Sequence, residues 1–319
     1  MKHSTLSTAI AAAILAALPP SILAQAPADL TIQSDAGRVV ITNAGKPVAT
    51  YVYRDAKIPR PYFAHVHAPG SVQVTRNHPP IAGKDATDHA EFHLGLWLAF
   101  GDLGGADSWR LKARVQHDKF FQEPKAGGDS ATFGVSNFYL SNDGKRVICG
   151  ENCRYTILVK PGGYLLLWDS LFQAKDGDLA FCDQEEMGLG VRVATPISVK
   201  GGGRILTSDG HKNEKQVRAK TSAWADYSGT IEGRRAGVTL MQHPKNFRPA
   251  WYHARDYGLL VLNHFGRRDL TGGEKSRVLL KQGETFRLRF GVFLYAGAEA
   301  ANLDPAAAYK DYLKVAGGP

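Results

Sequence analysis

Short runs of β-branched and aromatic residues, broken by glycine- and proline-bearing turns, recur along most of the chain. Residues 38–42, 48–53, 72–76, 114–121, 131–140, 155–159 and 164–172 carry this pattern, which suits pleated, half-buried strands. Asn142-Asp143-Gly144 and Pro161-Gly162-Gly163 supply hairpin turns between such runs. The pattern resumes over 188–194, 237–242, 259–263, 277–280 and 285–294, and the apolar stretch 94–100 reads as a buried strand around Trp97. Only the end is helical in pattern. Asp304-Pro305 offers an N-cap and a first-turn proline, and Tyr309, Tyr312 and Leu313 follow at helical spacing. The expected fold class is therefore all-β, a large antiparallel β-sandwich with a short C-terminal helix. No fixed-period repeat points to a propeller or solenoid. Gly201-Gly202-Gly203 lacks the lysine and hydroxyl residue of a phosphate loop.

The first residues bear on compartment. Lys2, the apolar stretch 9–18 and the small-x-small site Ala24-Gln25-Ala26 read as a secretory signal peptide over residues 1–26. Residues 27–319 are then expected to form a single β-sandwich domain, periplasmic or secreted. They contain no apolar run near the roughly 20 residues that cross a bilayer as a helix. The net charge of +9 is scattered rather than gathered in a stripe. It favours acidic polysaccharide over other charged partners, while an exported chain without a recognisable reading motif argues against nucleic acid. In an oxidising compartment Cys149 and Cys153 could bridge across Gly150-Glu151-Asn152 read as a tight turn, leaving Cys182 free.

Candidate chemistry concentrates in Asp88-His89-Ala90-Glu91-Phe92-His93. His89 and His93 share a face on a helix or on a strand, and Glu91 joins them only if the segment is extended. Such a set suits general acid and base work or a divalent metal, with His89 and His93 as the candidate ligands. The metalloprotease pattern is absent, because its glutamate directly follows the first histidine on a helix. Arg76 and His78 precede this cluster across a proline-bearing loop, where binding groups are commonly set on a rigid sheet. Trp109, beside Asp107 and Arg110, is a candidate sugar-stacking platform, whereas Trp97 reads as core. Glu185 and Glu186 point to opposite faces of an extended chain, and Glu186 is the one chosen to enter a cleft. A last aromatic and polar group comprises Trp251, His253, Arg255, Asp256, Asn263 and His264.

Taken together, residues 60–63, 88–102, 186–188, 224–229, 243–244, 251–258 and 263–266 resemble, in order, a bacterial family labelled methane oxygenase PmoA-like. The membrane-embedded oxygenase subunit of that name is built of spanning segments that this chain lacks, so methane oxidation is excluded. What the resemblance implies is an exported sugar-degrading system with a galactose mutarotase-like supersandwich look. Where many members carry Asp-His-x-His-His, this chain has Asp88-His89-Ala90-Glu91-Phe92-His93. The functional expectation is a carbohydrate-active enzyme acting on a glycoside or oxidised sugar by lyase, hydrolase or epimerase chemistry. His89, His93, Glu186 and His253 would move protons, and Arg76, His78, Trp109, Asp256 and Asn263 would orient an oligosaccharide or glycoside. The residues assign no definite cofactor, and a divalent metal held by His89 and His93 is the one candidate. The alternative is a noncatalytic periplasmic glycan-binding protein.

Overall fold

The period-two alternation resolves into two eight-stranded antiparallel sheets in a computed structural model that describes residues 28–298 and 303–318. The signal segment expected over residues 1–26 lies outside the described residues. From edge to edge the first sheet runs Leu30–Ser34, Arg38–Asn43, Lys46–Val52, Tyr62–Ala64, Leu96–Phe100, Met187–Arg192, Leu259–Asn263 and Trp251–Arg255. The second runs Arg204–Thr207, Trp224–Ile231, Arg234–Gln242, Thr285–Gly297, Gly163–Ala174, Val147–Lys160, Ser130–Leu140 and Val115–Gly127. The all-β sandwich expected from the pattern is the observed architecture.

The sheets share one apolar core, built from alternate residues of both inner faces. Tyr51 and Phe63 of the first sheet meet Tyr155 of the second with ring centroids 5.0 and 5.1 Å apart. The outer face of the second sheet is covered by the helix Pro305–Val315, whose Tyr312 ring lies where a Cβ on Gly291 would stand, 2.7 Å away. Asp304 caps that helix by accepting from the Ala306 amide at 2.8 Å.

The outer face of the first sheet carries the chemistry. Leu96, Leu98 and Phe100 point into the shared core, so Trp97 and Ala99 point outward, into a second apolar cluster with Tyr62, Ala64, Trp109 and Val261. Trp97 pairs with Gly190, Gly190 with Val261, and Val261 with His253. One row of outward positions thus crosses four strands. The next row, Arg192, Leu259 and Arg255, lies beside it. Gly190 is required there: a Cβ would meet the Trp97 ring at 2.7 Å.

One expectation fails in the second sheet. Cys149 and Cys153 are free thiols on the continuous strand Val147–Lys160, and Gly150-Glu151-Asn152 is not a turn. Four residues of strand separate the two Cα atoms by roughly 13 Å, about twice a disulfide's span. The strand persists because the buried Glu151 carboxylate accepts from Asn137 at 3.0 Å and from Ser170 at 2.6 Å on the two neighbouring strands.

Candidate active site

Residues 88–92 form a turn rather than a strand, with the amides of Phe92 and His93 donating to the His89 carbonyl at 3.2 and 3.0 Å. The helical spacing brings His89 and His93 onto one face and leaves Glu91 exposed and outside the set. The rings stack with centroids 4.8 Å apart and planes 16° from parallel. His93 stacks in turn on Trp97 at 5.3 Å, and Tyr257 lies parallel to His89 at 5.7 Å. His89 itself holds a left-handed backbone, φ 50°, a conformation that costs an L-residue on the order of 1 kcal/mol and concentrates at functional positions.

Hydrogen bonding determines where the ring protons sit. Arg192 can only donate, so the His93 Nδ1 facing its Nη1 at 3.3 Å is the unprotonated nitrogen and Nε2 bears the hydrogen. His89 Nδ1 lies 2.8 Å from Asp88 Oδ2. The ionised carboxylate accepts, so Nδ1 is the donor, and in the neutral ring Nε2 holds a free lone pair. Asp88 is oriented by Arg192, whose Nη1 and Nη2 donate to its two oxygens at 2.8 and 2.7 Å. Against the upward push of burial, Arg192, His89 and Arg76 hold the Asp88 carboxyl well below its ordinary value. Burial, reinforced by Arg192, drives His93 down to about 2. His93 is therefore a neutral hydrogen-bond donor, and the expectation that it works as an acid or base in partnership with His89 is corrected.

Glu186 lies in the loop before Met187–Arg192, near enough to His89 and Tyr257 for its charge to act on both. Burial raises its carboxyl above the ordinary value, Glu185 and Asp107 push the same way, and Arg110 and His89 offset them in part. Arg110 forms its ion pair. Glu185 turns to a neighbouring cluster: Arg218 donates to it at 2.6 Å, and Arg255 and His253 lie 3.6 and 3.8 Å away. Burial would raise Glu185, but His253, Arg218 and Arg255 outweigh it and lower its pKa. His253 donates Nδ1–H to the Glu185 carbonyl at 3.0 Å, which leaves Nε2 unprotonated, and burial lowers this ring to about 4. His253 thus shares the sheet face with His89 and Glu186 and belongs to the adjoining Glu185 cluster.

Several expected binding groups have structural duties instead. Trp109 is 1% exposed, packed edgewise on Trp97 at 5.4 Å, so it presents no face to a sugar. Arg76 is equally buried and donates to the carbonyls of Ala86, Asp88, His89 and His93, tying down the histidine turn. Asn263 spends its side chain on Gln184, Glu185, Phe265 and Gly266, which fixes the loop that carries Glu186. Asp256 accepts from the Glu214 amide at 2.9 Å in the first turn of Asn213–Val217. His78 packs edge-on against Tyr62 at 5.3 Å, among Asp55, His65 and Arg76 rather than in the stack.

Arg192 was not among the residues singled out from sequence, and Tyr257 stood there only inside the run 251–258, without a role. Arg192 closes an otherwise apolar strand, and a guanidinium on the outward side of a buried run is the signal that could have found it.

Asp88, His89 and His93 also bring potential metal-ligand atoms within 4.8 Å of one another. Both Asp88 oxygens and the His93 Nδ1 are engaged by Arg192. A divalent ion would have to displace that guanidinium and stand beside its charge, so this donor set fits a metal poorly.

An all-β sandwich with an imidazole, carboxylate and guanidinium cluster on one outer sheet face is the class defined by this geometry. The chain belongs to a family of unknown function, DUF6807, whose model matches residues 38–308. Comparison with curated proteins finds no match. Among solved structures, the GH36 alpha-galactosidase AgaA from Geobacillus stearothermophilus is similar at 12% identity and TM-score 0.42, over 85% of this chain and 41% of that one. This chain therefore spans about two fifths of the alpha-galactosidase. A galactose mutarotase-like protein from Lactobacillus casei is similar at 9% identity and TM-score 0.36, over 83% of this chain and 100% of that one. Among the described residues no helix is long and apolar enough to cross a membrane.

Proposed function

We propose that this protein is an exported carbohydrate-active enzyme that moves protons on a glycoside or oxidised sugar, in lyase, hydrolase or epimerase chemistry. The observation that carries the reading is the 2.8 Å bond from His89 to Asp88, with Arg192 clamping the carboxylate and the imidazole 44% exposed. A base held by an orienting carboxylate is the arrangement proton abstraction needs. His89 Nε2 takes a proton from a substrate carbon or hydroxyl. The neutral His93 Nε2–H is available to donate a hydrogen bond to the oxygen on which charge develops. Glu186, whose raised pKa keeps it protonated to higher pH, returns a proton to the leaving oxygen or to carbon. Tyr257 and the outer edge of the stack offer ring faces for a pyranose. Engagement of the Asp88 oxygens by Arg192 favours this metal-free assignment over a metal centre.

The test is incubation with a panel of oligosaccharides and 3-keto glycosides followed by mass spectrometry. Conversion by the native chain, lost in His89→Ala with the circular dichroism spectrum retained, supports the reading. Binding without any new product overturns it in favour of a noncatalytic glycan-binding protein.

A further inference from the structure

A second concavity lies between residues 53–60 and the start of the strand Val115–Gly127, with a volume of about 690 Å³, and it meets the histidine turn through Arg60. The Val115 amide donates to the Pro59 carbonyl at 2.8 Å and joins its two walls. Arg54, Lys57, Arg60 and Arg114 all line it, against the single carboxylate Asp55. Asp55 is already engaged: it accepts from the Tyr62 hydroxyl at 2.7 Å and from the amides of Lys57 and Ile58. Among the described residues none of the four cations has a carboxylate within ion-pairing distance.

Arg60 is the most telling of the four. It is 2% exposed, only its Nη2 has a partner, the Phe92 carbonyl, and its Nε and Nη1 have none among the described residues. A buried guanidinium without a hydrogen-bonded carboxylate is costly, and the Trp97 face 5.4 Å away and the Asp107 charge offset that cost only in part. Burial lowers Arg60 to about 9, against the upward pull of Tyr139, Asp107 and Tyr62. Behind the cations, Tyr53 and His117 form an aromatic wall with ring centroids 4.4 Å apart. His117 Nδ1 is buried without a partner as well.

The geometry points to this pocket as a binding site for an acidic sugar, one whose carboxylate or sulfate is held by Arg54, Lys57 and Arg114 in front of the Arg60 charge. An anion offsets the unpaired cations, and the volume is that of a small-molecule site rather than a lone ion. The sugar ring rests on the carbohydrate reading above; the anion rests on this pocket alone.

Calorimetric titration of the full chain with glucuronate, glucose 6-sulfate and glucose tests it. The acidic sugars are expected to bind and glucose to bind about tenfold more weakly or not at all, and Arg54→Ala/Arg114→Ala is expected to weaken the acids about tenfold. The better of the two acids identifies carboxylate or sulfate as the anion. If the double variant fails to fold, Lys57→Glu at the exposed rim serves instead. Equal binding of glucose, or acids bound alike by native and variant chains, overturns the proposal. His89→Ala should retain acid binding, and acid binding without conversion of any sugar leaves this site standing while the catalytic reading falls.

Discussion

Arg192 holds Asp88 through two hydrogen bonds of 2.7 and 2.8 Å across 104 residues of chain, joining a sheet strand to the turn that carries both histidines. Its guanidinium also lies 4.5 Å from the centroid of the Tyr257 ring. One buried cation therefore orients the carboxylate, fixes the His93 tautomer and packs against a ring of the site. A planar fork can do all of this at once and an ammonium cannot.

Arg192→Lys should consequently preserve the charge and lose the geometry. For the sugar identified by the panel, kcat/KM is expected to fall on the order of 10²-fold, as for small misplacements of a reacting group. The Asp88 carboxyl, followed by carbon NMR titration, should move up toward its ordinary range because the bidentate partner holding it down is gone. Native turnover together with an unmoved Asp88 titration would remove Arg192 from the site's design.

The buried histidines make stability sensitive to acid. His93 and His264 are lowered from 6.5 to about 2 and about 3, chiefly by burial. Between those values and 6.5 the unfolded chain binds protons that the folded chain refuses. Stability is thus full above about pH 6.5 and lost as pH falls below it, by on the order of 2 kcal/mol per histidine at pH 5. Urea midpoints measured from pH 7.5 to 5 should decline, and more gently in His93→Gln. A level profile for the native chain would contradict the burial assigned to these rings.

Strand alternation made most of the sandwich legible, together with the helix over 305–315, because period two and capping are local properties. The long strand Val147–Lys160 was read short because Gly150 and Asn152 ordinarily punctuate chains. What overrides them is the set of bonds to Glu151 from Asn137 and Ser170, each more than ten residues away. Trp109 misled for a related reason: its polar neighbours along the chain suggested a surface loop, while its ring is buried by Trp97 from another element. The histidine spacing puts His89 and His93 on one face, but what orients their rings depends on Arg192, which no local pattern ties to Asp88.

Gly190→Ala probes the floor of the stack. The added methyl would stand 2.7 Å from Trp97, whose ring is itself pressed by His93 and Trp109 and has no room to yield. A destabilisation of about 1–3 kcal/mol is expected in urea unfolding, with turnover reduced as the His93 ring is displaced. Unchanged stability would show that Trp97 does not occupy the glycine's hollow.

Asn263→Ala separates support of Glu186 from direct contact with a ligand. The amide nitrogen donates to the carbonyls of Gln184 and Glu185 at 2.7 and 3.0 Å, and Oδ1 accepts from the amides of Phe265 and Gly266 at 2.7 and 2.9 Å. Removing the side chain strands buried donors and acceptors on both loops, at a cost of roughly 2–4 kcal/mol. If Asn263 is a positioning residue, amide exchange at Phe265 and Gly266 accelerates in the absence of any sugar, and turnover falls because the loop that carries Glu186 is no longer fixed. A hydroxyl-binding role predicts the opposite pattern: amide protection stays native, and the loss is confined to a raised KM.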